Sequence, residues 1–267
     1  MIGLFVLSLL VNKPSTMEKL NVIENNAYHM IELIQGANGL KVLKMNNGLS
    51  AGINARNEMT FPYMKHIENT YIKPIQKDGP KRNILVIGAG GFTLGLDDKK
   101  NDYTFIDIDD SLKDVSEQYF LNQKLGDNKK FKAVPVRAYL QQLDKDFKFD
   151  LIIVDTYLGT TIPLHLVTKE FFESVKARLK PNGVMAMNHI GSTTFNDEFS
   201  LNFNETLHSV FPFLSRQIIG RYDGWNTTKP NYKNIIYSYH HKENYHPKIY
   251  TDDLNNSTFD KDKLLEE

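Results

Sequence analysis

Asn83-Ile84-Leu85-Val86-Ile87-Gly88-Ala89-Gly90-Gly91 carries an unbroken apolar run straight into glycines. A second apolar run, Tyr103-Thr104-Phe105-Ile106-Asp107-Ile108-Asp109, then closes on carboxylates. Strands buried on both faces of a parallel sheet read as continuous runs of this kind. A glycine turn at the end of the first strand lets backbone approach a ligand, and an acid about twenty residues later can accept hydrogen bonds from ribose hydroxyls. The stretch therefore predicts a nucleoside site at the carboxyl edge of an α/β sheet. A tight strand-to-helix turn with no ligand is the competing reading, and Asp155, a second acid closing an apolar run, weighs against it.

Working outward, apolar runs and amphipathic stretches alternate. Strands are expected at 84–87, 103–108, 131–134, 151–155 and 184–187, with a final pair at 217–220 and 235–239. Helices are expected at 111–120, 137–143, 168–179 and 198–211, with room at 93–97 for only a very short one. Lys180-Pro181-Asn182-Gly183 reads as a stop. This order predicts an α/β fold of the class I methyltransferase type, a mostly parallel Rossmann-like sheet. The dinucleotide fingerprint wants a third glycine where Thr93 stands, which disfavours NAD and favours an adenosyl ligand without a pyrophosphate.

Upstream, Tyr28–Ile34 and Leu40–Met45 look like strands joined by Gly36-Ala37-Asn38-Gly39, and Asn46-Asn47-Gly48 supplies a second turn. Residues 57–71 place Met59, Tyr63, Ile67 and Tyr71 at helical spacing, and residues 76–80 form the boundary. The expected organisation is an apolar segment over 1–16, a small antiparallel β subdomain with a connecting helix over 17–80, and a nucleoside-binding domain over 81–267. Residues 2–11 are nearly all apolar but too few to span a bilayer, which takes roughly 20. They read as an element docked on the fold or as the stub of a membrane segment.

Composition narrows the chemistry. The 267 residues contain 32 Lys+Arg, 32 Asp+Glu and no cysteine. Disulfides, thiolate metal sites and a cysteine nucleophile are excluded, and no basic footprint for nucleic acid is evident. His240-His241 with His246 matches no zinc spacing, so no metal is expected.

The string from Asp150 to Phe172, Asp-Leu-Ile-Ile-Val-Asp-Thr-Tyr-Leu-Gly-Thr-Thr-Ile-Pro-Leu-His-Leu-Val-Thr-Lys-Glu-Phe-Phe, resembles the spermidine/spermine synthase (polyamine aminopropyltransferase) family. Gly88–Leu94, Phe105–Asp109, Leu179–Gly183 and, toward the end, Tyr250–Asp253 add to the likeness. The resemblance is closest to the branch fused to membrane transporter-like helices. It implies aminopropyl transfer from decarboxylated S-adenosylmethionine, as co-substrate, to a diamine or polyamine. S-adenosylmethionine itself is the alternative ligand. It further implies Gly88, Ala89, Gly90, Asp107, Ile108, Val136 and Asp155 around the nucleoside, Asp155 as the catalytic acid, and Tyr63 and Tyr157 at the acceptor. A cytoplasmic protein is expected, at the inner face of a membrane through residues 2–11 if these are a stub, and paired as a homodimer as soluble relatives are.

Four positions depart from the family pattern. Leu158 stands where the family carries its base. Gly91 and Pro135 stand where acids are usual, and His29 replaces a glutamine. The departures keep two alternatives open: a protein that binds an adenosyl nucleoside or polyamine with weakened catalysis, and an S-adenosylmethionine-dependent methyltransferase. His165 and His189 follow strand ends on the presumed site edge, as a base or as structural hydrogen-bonding groups. Asp109 or Asp110 suits the N-cap of the helix beginning near Ser111.

Overall fold

The computed structural model describes residues 13–159, 161–220 and 232–241. Residues 2–11, His246 and Tyr250–Asp253 lie outside the described residues. After a short helix, α1 (Pro14–Lys19), four strands form an antiparallel sheet in sequential order: β1 (Val22–Asn25), β2 (Met30–Gln35), β3 (Lys41–Met45) and β4 (Gly48–Ile53). Asn46 takes up a left-handed φ of 52° between β3 and β4, a conformation asparagine tolerates better than most side chains. The connecting helix is broken into α2 (Pro62–Ile67), a π turn (Glu68–Ile72) and α3 (Lys73–Lys77). Pro74 has no N–H to continue the ladder, and the wider turn lies immediately before it.

The main sheet has seven strands, in the order β10-β11-β9-β8-β5-β6-β7. These are β5 (Asn83–Ile87), β6 (Asp102–Asp107), β7 (Lys129–Ala133), β8 (Phe149–Val154), β9 (Leu179–Ser192), β10 (Ser215–Ile219) and β11 (Tyr232–His240). The five strands from β7 to β9 in that order are joined by four parallel pairings, and β11 and β10 complete the sheet antiparallel. This is the class I methyltransferase-like arrangement. The chain leaves β5 toward β6 and later returns on the other side at β8, so a ligand crevice opens between those strands at their carboxyl ends.

Alternation along each strand explains why the runs are apolar throughout. Ile84, Val86, Phe105 and Ile153 face the small sheet and α2, sharing one core with Ile31, Leu43 and Ile67. Leu85, Ile87, Ile152 and Val154 face the opposite side. There they pack under α5 (Val136–Gln142), α6 (Lys169–Ala177) and α7 (Glu198–Val210), with Phe171, Phe172 and Phe203. Thr168 and Asp197 cap the last two helices, accepting from the N–H of Phe171 (3.3 Å) and Ser200 (2.8 Å).

Two local expectations are corrected. No helix forms at 93–97; the β5–β6 connection is made of turns. Residues 111–120 do coil, as α4 (Leu112–Val115) and a π turn (Ser116–Phe120). The stop at Lys180–Gly183 falls inside β9 rather than before it. Phe149 pairs with Leu179 and Leu151 with Val184, so the turn residues loop out of the ladder while the strand resumes. Asn182 and Gly183 are held there by backbone bonds to His241 at 2.8 and 2.7 Å. Among the described residues no helix is long and apolar enough to cross a membrane.

Candidate functional site

A cleft of about 410 Å³ lies over the carboxyl ends of β5, β6 and β8, with the small sheet and the start of α2 closing its far side. Gly88 begins it. Its φ is +91°, and a Cβ would stand 2.1 Å from the carbonyl oxygen of Asp155. Only glycine allows the two strand ends to approach this closely. Gly90 lines the cleft, and a Cβ there would enter it, 3.4 Å from Ser50 Oγ. Gly91 points away. A Cβ would meet Phe120 at 2.5 Å and Ala51 at 2.8 Å, so the position has no room for an acid and none would reach the cleft.

Asp107 closes β6 into the cleft wall. Its Oδ2 accepts from the N–H of Ala89 (2.9 Å), and its Oδ1 accepts from Ile108 (2.7 Å) and Asp109 (3.3 Å). Burial pushes its carboxyl up, against those backbone bonds and the nearby His29. Ala89 is buried and contributes its N–H rather than a cleft surface. Ile108 and Val136 both line the cleft.

The adjacent Asp109 has another task. It is fully buried, accepts from Ser111 N–H (3.0 Å), Ser111 Oγ (2.7 Å) and Asn26 Nδ2 (2.9 Å), and holds His29 Nδ1 at 2.8 Å. Burial acts to raise its carboxyl, but the bonds from His29, Ser111 and Asn26 prevail and lower it. The Asp109–Ser111 turn is thus joined to the loop before β2, which places His29 on the cleft wall. The helix after it, α4, follows Ser111 with no side-chain cap.

On the other side of the switch point stands Asp155. Tyr63, buried on α2, donates its hydroxyl to Oδ2 at 3.0 Å, and Asn188 Nδ2 of β9 donates to Oδ1 at 2.9 Å. Burial nevertheless raises the carboxyl, the two bonds offsetting it only in part. Tyr157 lines the cleft with its ring and accepts from the N–H of Ile190 at 2.5 Å. Leu158 lies half-exposed on the rim, its N–H bonded to Thr161 O at 2.8 Å. Pro135 precedes α5 on the same wall and offers neither carboxylate nor N–H.

The histidines separate. His165 lines the cleft from a short turn at Leu164–Leu166, whose position is fixed by Arg137 Nη1 donating to the His165 carbonyl at 2.9 Å. His189 does not reach the cleft. Successive strand residues face opposite ways, and Asn188 takes the cleft side. His189 is fully buried beneath the sheet, stacked on Phe203 with ring centroids 4.0 Å apart. Burial, helped by the Arg216 charge, pushes it down to about 4. It is a neutral core residue.

Sequence reasoning missed Asn188 and Asn234. Both are more than nine-tenths buried, both line the cleft, and the Oδ1 of each has no partner. For Asn188 the available signal was a polar amide, beside His189, inside the otherwise apolar run Val184–Ile190. Among the described residues, the cleft wall carries two carboxylates, Asp107 and Asp155, several aromatic rings and no lysine or arginine. No group of three or more metal-ligating side chains occurs among the described residues.

The spermine/spermidine synthase domain matches residues 62–249. A polyamine aminopropyltransferase of Vibrio vulnificus is 26% identical over 163 residues, which is 59% of this chain and 54% of that protein. An N-terminal histidine N-methyltransferase of Emericella nidulans is 32% identical over 136 residues, 49% of this chain and 23% of its own length. The chain thus spans about half the length, or less, of these curated relatives. In three dimensions the chain is similar to a probable spermidine synthase from Corynebacterium glutamicum. The TM-score is 0.66 at 19% identity, over 91% of this chain and 86% of that one.

Proposed function

The chain belongs to the spermine/spermidine synthase family, and from that premise we propose that it transfers an aminopropyl group from decarboxylated S-adenosylmethionine to a diamine or polyamine. The observation that carries the reading is the charge of the cleft wall: two partly buried carboxylates and aromatic faces, with no lysine or arginine among the described residues that line it. Such a wall suits a sulfonium and an ammonium ion and disfavours phosphates. The donor fits the open floor at Gly90, where a Cβ would intrude. Asp107 keeps spare lone pairs beyond its backbone bonds, and these suit a ribose diol.

When bound, the donor supplies a propyl carbon made electrophilic by its sulfonium. Everything else falls to the chain. Gly88 and Gly90 admit the nucleoside, Asp107 orients its ribose, and Tyr63 and Tyr157 flank the acceptor. Leu158 offers no base, so Asp155 holds the attacking nitrogen and takes its proton. A carboxylate raised by burial is the stronger base for that step.

Incubation with decarboxylated S-adenosylmethionine and 1,4-diaminobutane should release methylthioadenosine. No release from a protein that still binds methylthioadenosine by calorimetry would leave a nucleoside-binding protein without transfer, the reading favoured by Leu158 and Pro135. Methyl transfer from S-adenosylmethionine to an amine would instead favour a methyltransferase on the same sheet. The finer placements belong to the same proposal. Membership of the membrane-fused branch and pairing of two copies rest on resemblance, residues 2–11 near a membrane face on their apolar run together with that resemblance, and a boundary near residue 80 on the loop residues 76–80. Vesicle flotation, limited proteolysis and sedimentation equilibrium test them.

A further inference from the structure

Resting on the transfer reading above, we propose that Asn188 and Asn234 form a reading site for a primary ammonium group at the far end of the acceptor. Along the sheet the cleft runs from Asp107 on β6 and Gly88 after β5, past Asp155 after β8, to Asn188 on β9 and Asn234 on β11. Asn188 pairs across from Ile236, and Asn234 from Ile190. All four side chains therefore share one face, and the two amides are diagonal neighbours, within common reach of one ligand group.

The orientation of Asn188 is decided by Asp155. Its carboxylate needs a donor, so Asn188 turns Nδ2 toward it and leaves Oδ1 pointing elsewhere with no partner. Asn234 Oδ1 is likewise unpartnered, and the neighbouring Thr156 Oγ1 lacks a partner as well. Unpaired carbonyl oxygens buried to this degree are costly unless a ligand brings donors. A primary ammonium brings three N–H groups, enough for both amide oxygens and Thr156. A dimethylated ammonium brings one. The amides lie one and two strand spacings from Asp155, about 5–10 Å, which places the site at the non-reacting end of a short diamine.

The test is calorimetry on the full chain with methylthioadenosine present, comparing 1,4-diaminobutane with its N,N-dimethyl derivative. The dimethyl compound should bind roughly ten- to a hundredfold more weakly, the cost of leaving buried acceptors unpaired. Asn234→Leu should weaken the parent diamine similarly and remove most of the discrimination. Its affinity for methylthioadenosine, which reports an intact nucleoside end, should stay within about twofold, and Asn234→Gln should recover part of the loss. Equal affinity for the two amines would overturn the proposal, as would unchanged diamine binding in an Asn234→Leu protein that still binds the nucleoside. Failure of the transfer reading is separable. Discrimination between the amines without release of methylthioadenosine would keep the ammonium site and remove the enzyme, whereas release without discrimination would do the reverse.

Discussion

Two partly buried carboxylates, Asp107 and Asp155, end strands on the same edge of the sheet, and desolvation pushes both up. They are held in opposite ways. Asp107 is fixed by the backbone N–H groups of Ala89, Ile108 and Asp109, all supplied by its own loop and the glycine turn next to it. Asp155 is fixed by side chains, Tyr63 from α2 and Asn188 from β9. Backbone donors persist through substitution, whereas a side-chain clamp can be exchanged one residue at a time. The nucleoside half of the cleft is therefore the conservative half by construction, and the acceptor half is where the chemistry can change.

The sharpest way to break that contrast is Asp155→Asn. If the acid takes the proton of the attacking amine, aminopropyl transfer should fall roughly 10²–10⁴-fold, with methylthioadenosine binding little altered. A matching loss of nucleoside affinity would mean that the two halves are not separable. Next in size is Gly88→Ala, which puts a methyl group against the Asp155 carbonyl at a φ of +91°. Strain and displacement at this join should cost about 2–4 kcal/mol in urea unfolding. Asp107→Ala should weaken methylthioadenosine by about 1–3 kcal/mol, since the ribose hydroxyls lose their acceptor. Unchanged affinity in calorimetry would end the ribose assignment.

The same contrast explains what could be read from the sequence. The nucleoside half is local: a run, a glycine turn and an acid within one stretch, 83–109, so its spacing alone points to the ligand. The central strands β5 and β8 were legible for the same reason, because burial on both faces leaves continuous apolar runs. The acceptor half is assembled from residues 63, 155, 188 and 234, and no local period links them. Tyr63 entered through resemblance and helical spacing. Asn188 stood out as a polar residue in an apolar run, but its meaning depends on β9 lying beside β8, and that of Asn234 on β11 returning antiparallel. His189 was misplaced by one step of the strand alternation. The looped-out turn at Lys180–Gly183 hid how long β9 is.

Tyr63→Phe makes the smallest change and tests the clamp most directly. The tyrosine hydroxyl stabilises the ionised Asp155, so its bond lowers a carboxyl that burial raises. Removing it leaves burial less opposed, and the carboxyl rises further. Transfer requires the ionised form, so kcat/KM climbs as pH rises through this group. The acid limb of the profile should therefore move to higher pH in the variant. Stability follows the same sign. With the folded value above the unfolded one, the ionised acid is disfavoured in the fold. The stability lost with Tyr63, about 1 kcal/mol, should be seen above the folded pKa and diminish as pH falls below it. No equivalent substitution exists for Asp107, whose N–H partners survive any exchange of side chain except proline. An acid limb that stays in place, in a variant that melts normally, would show that Asp155 is not the group whose ionisation governs the rate.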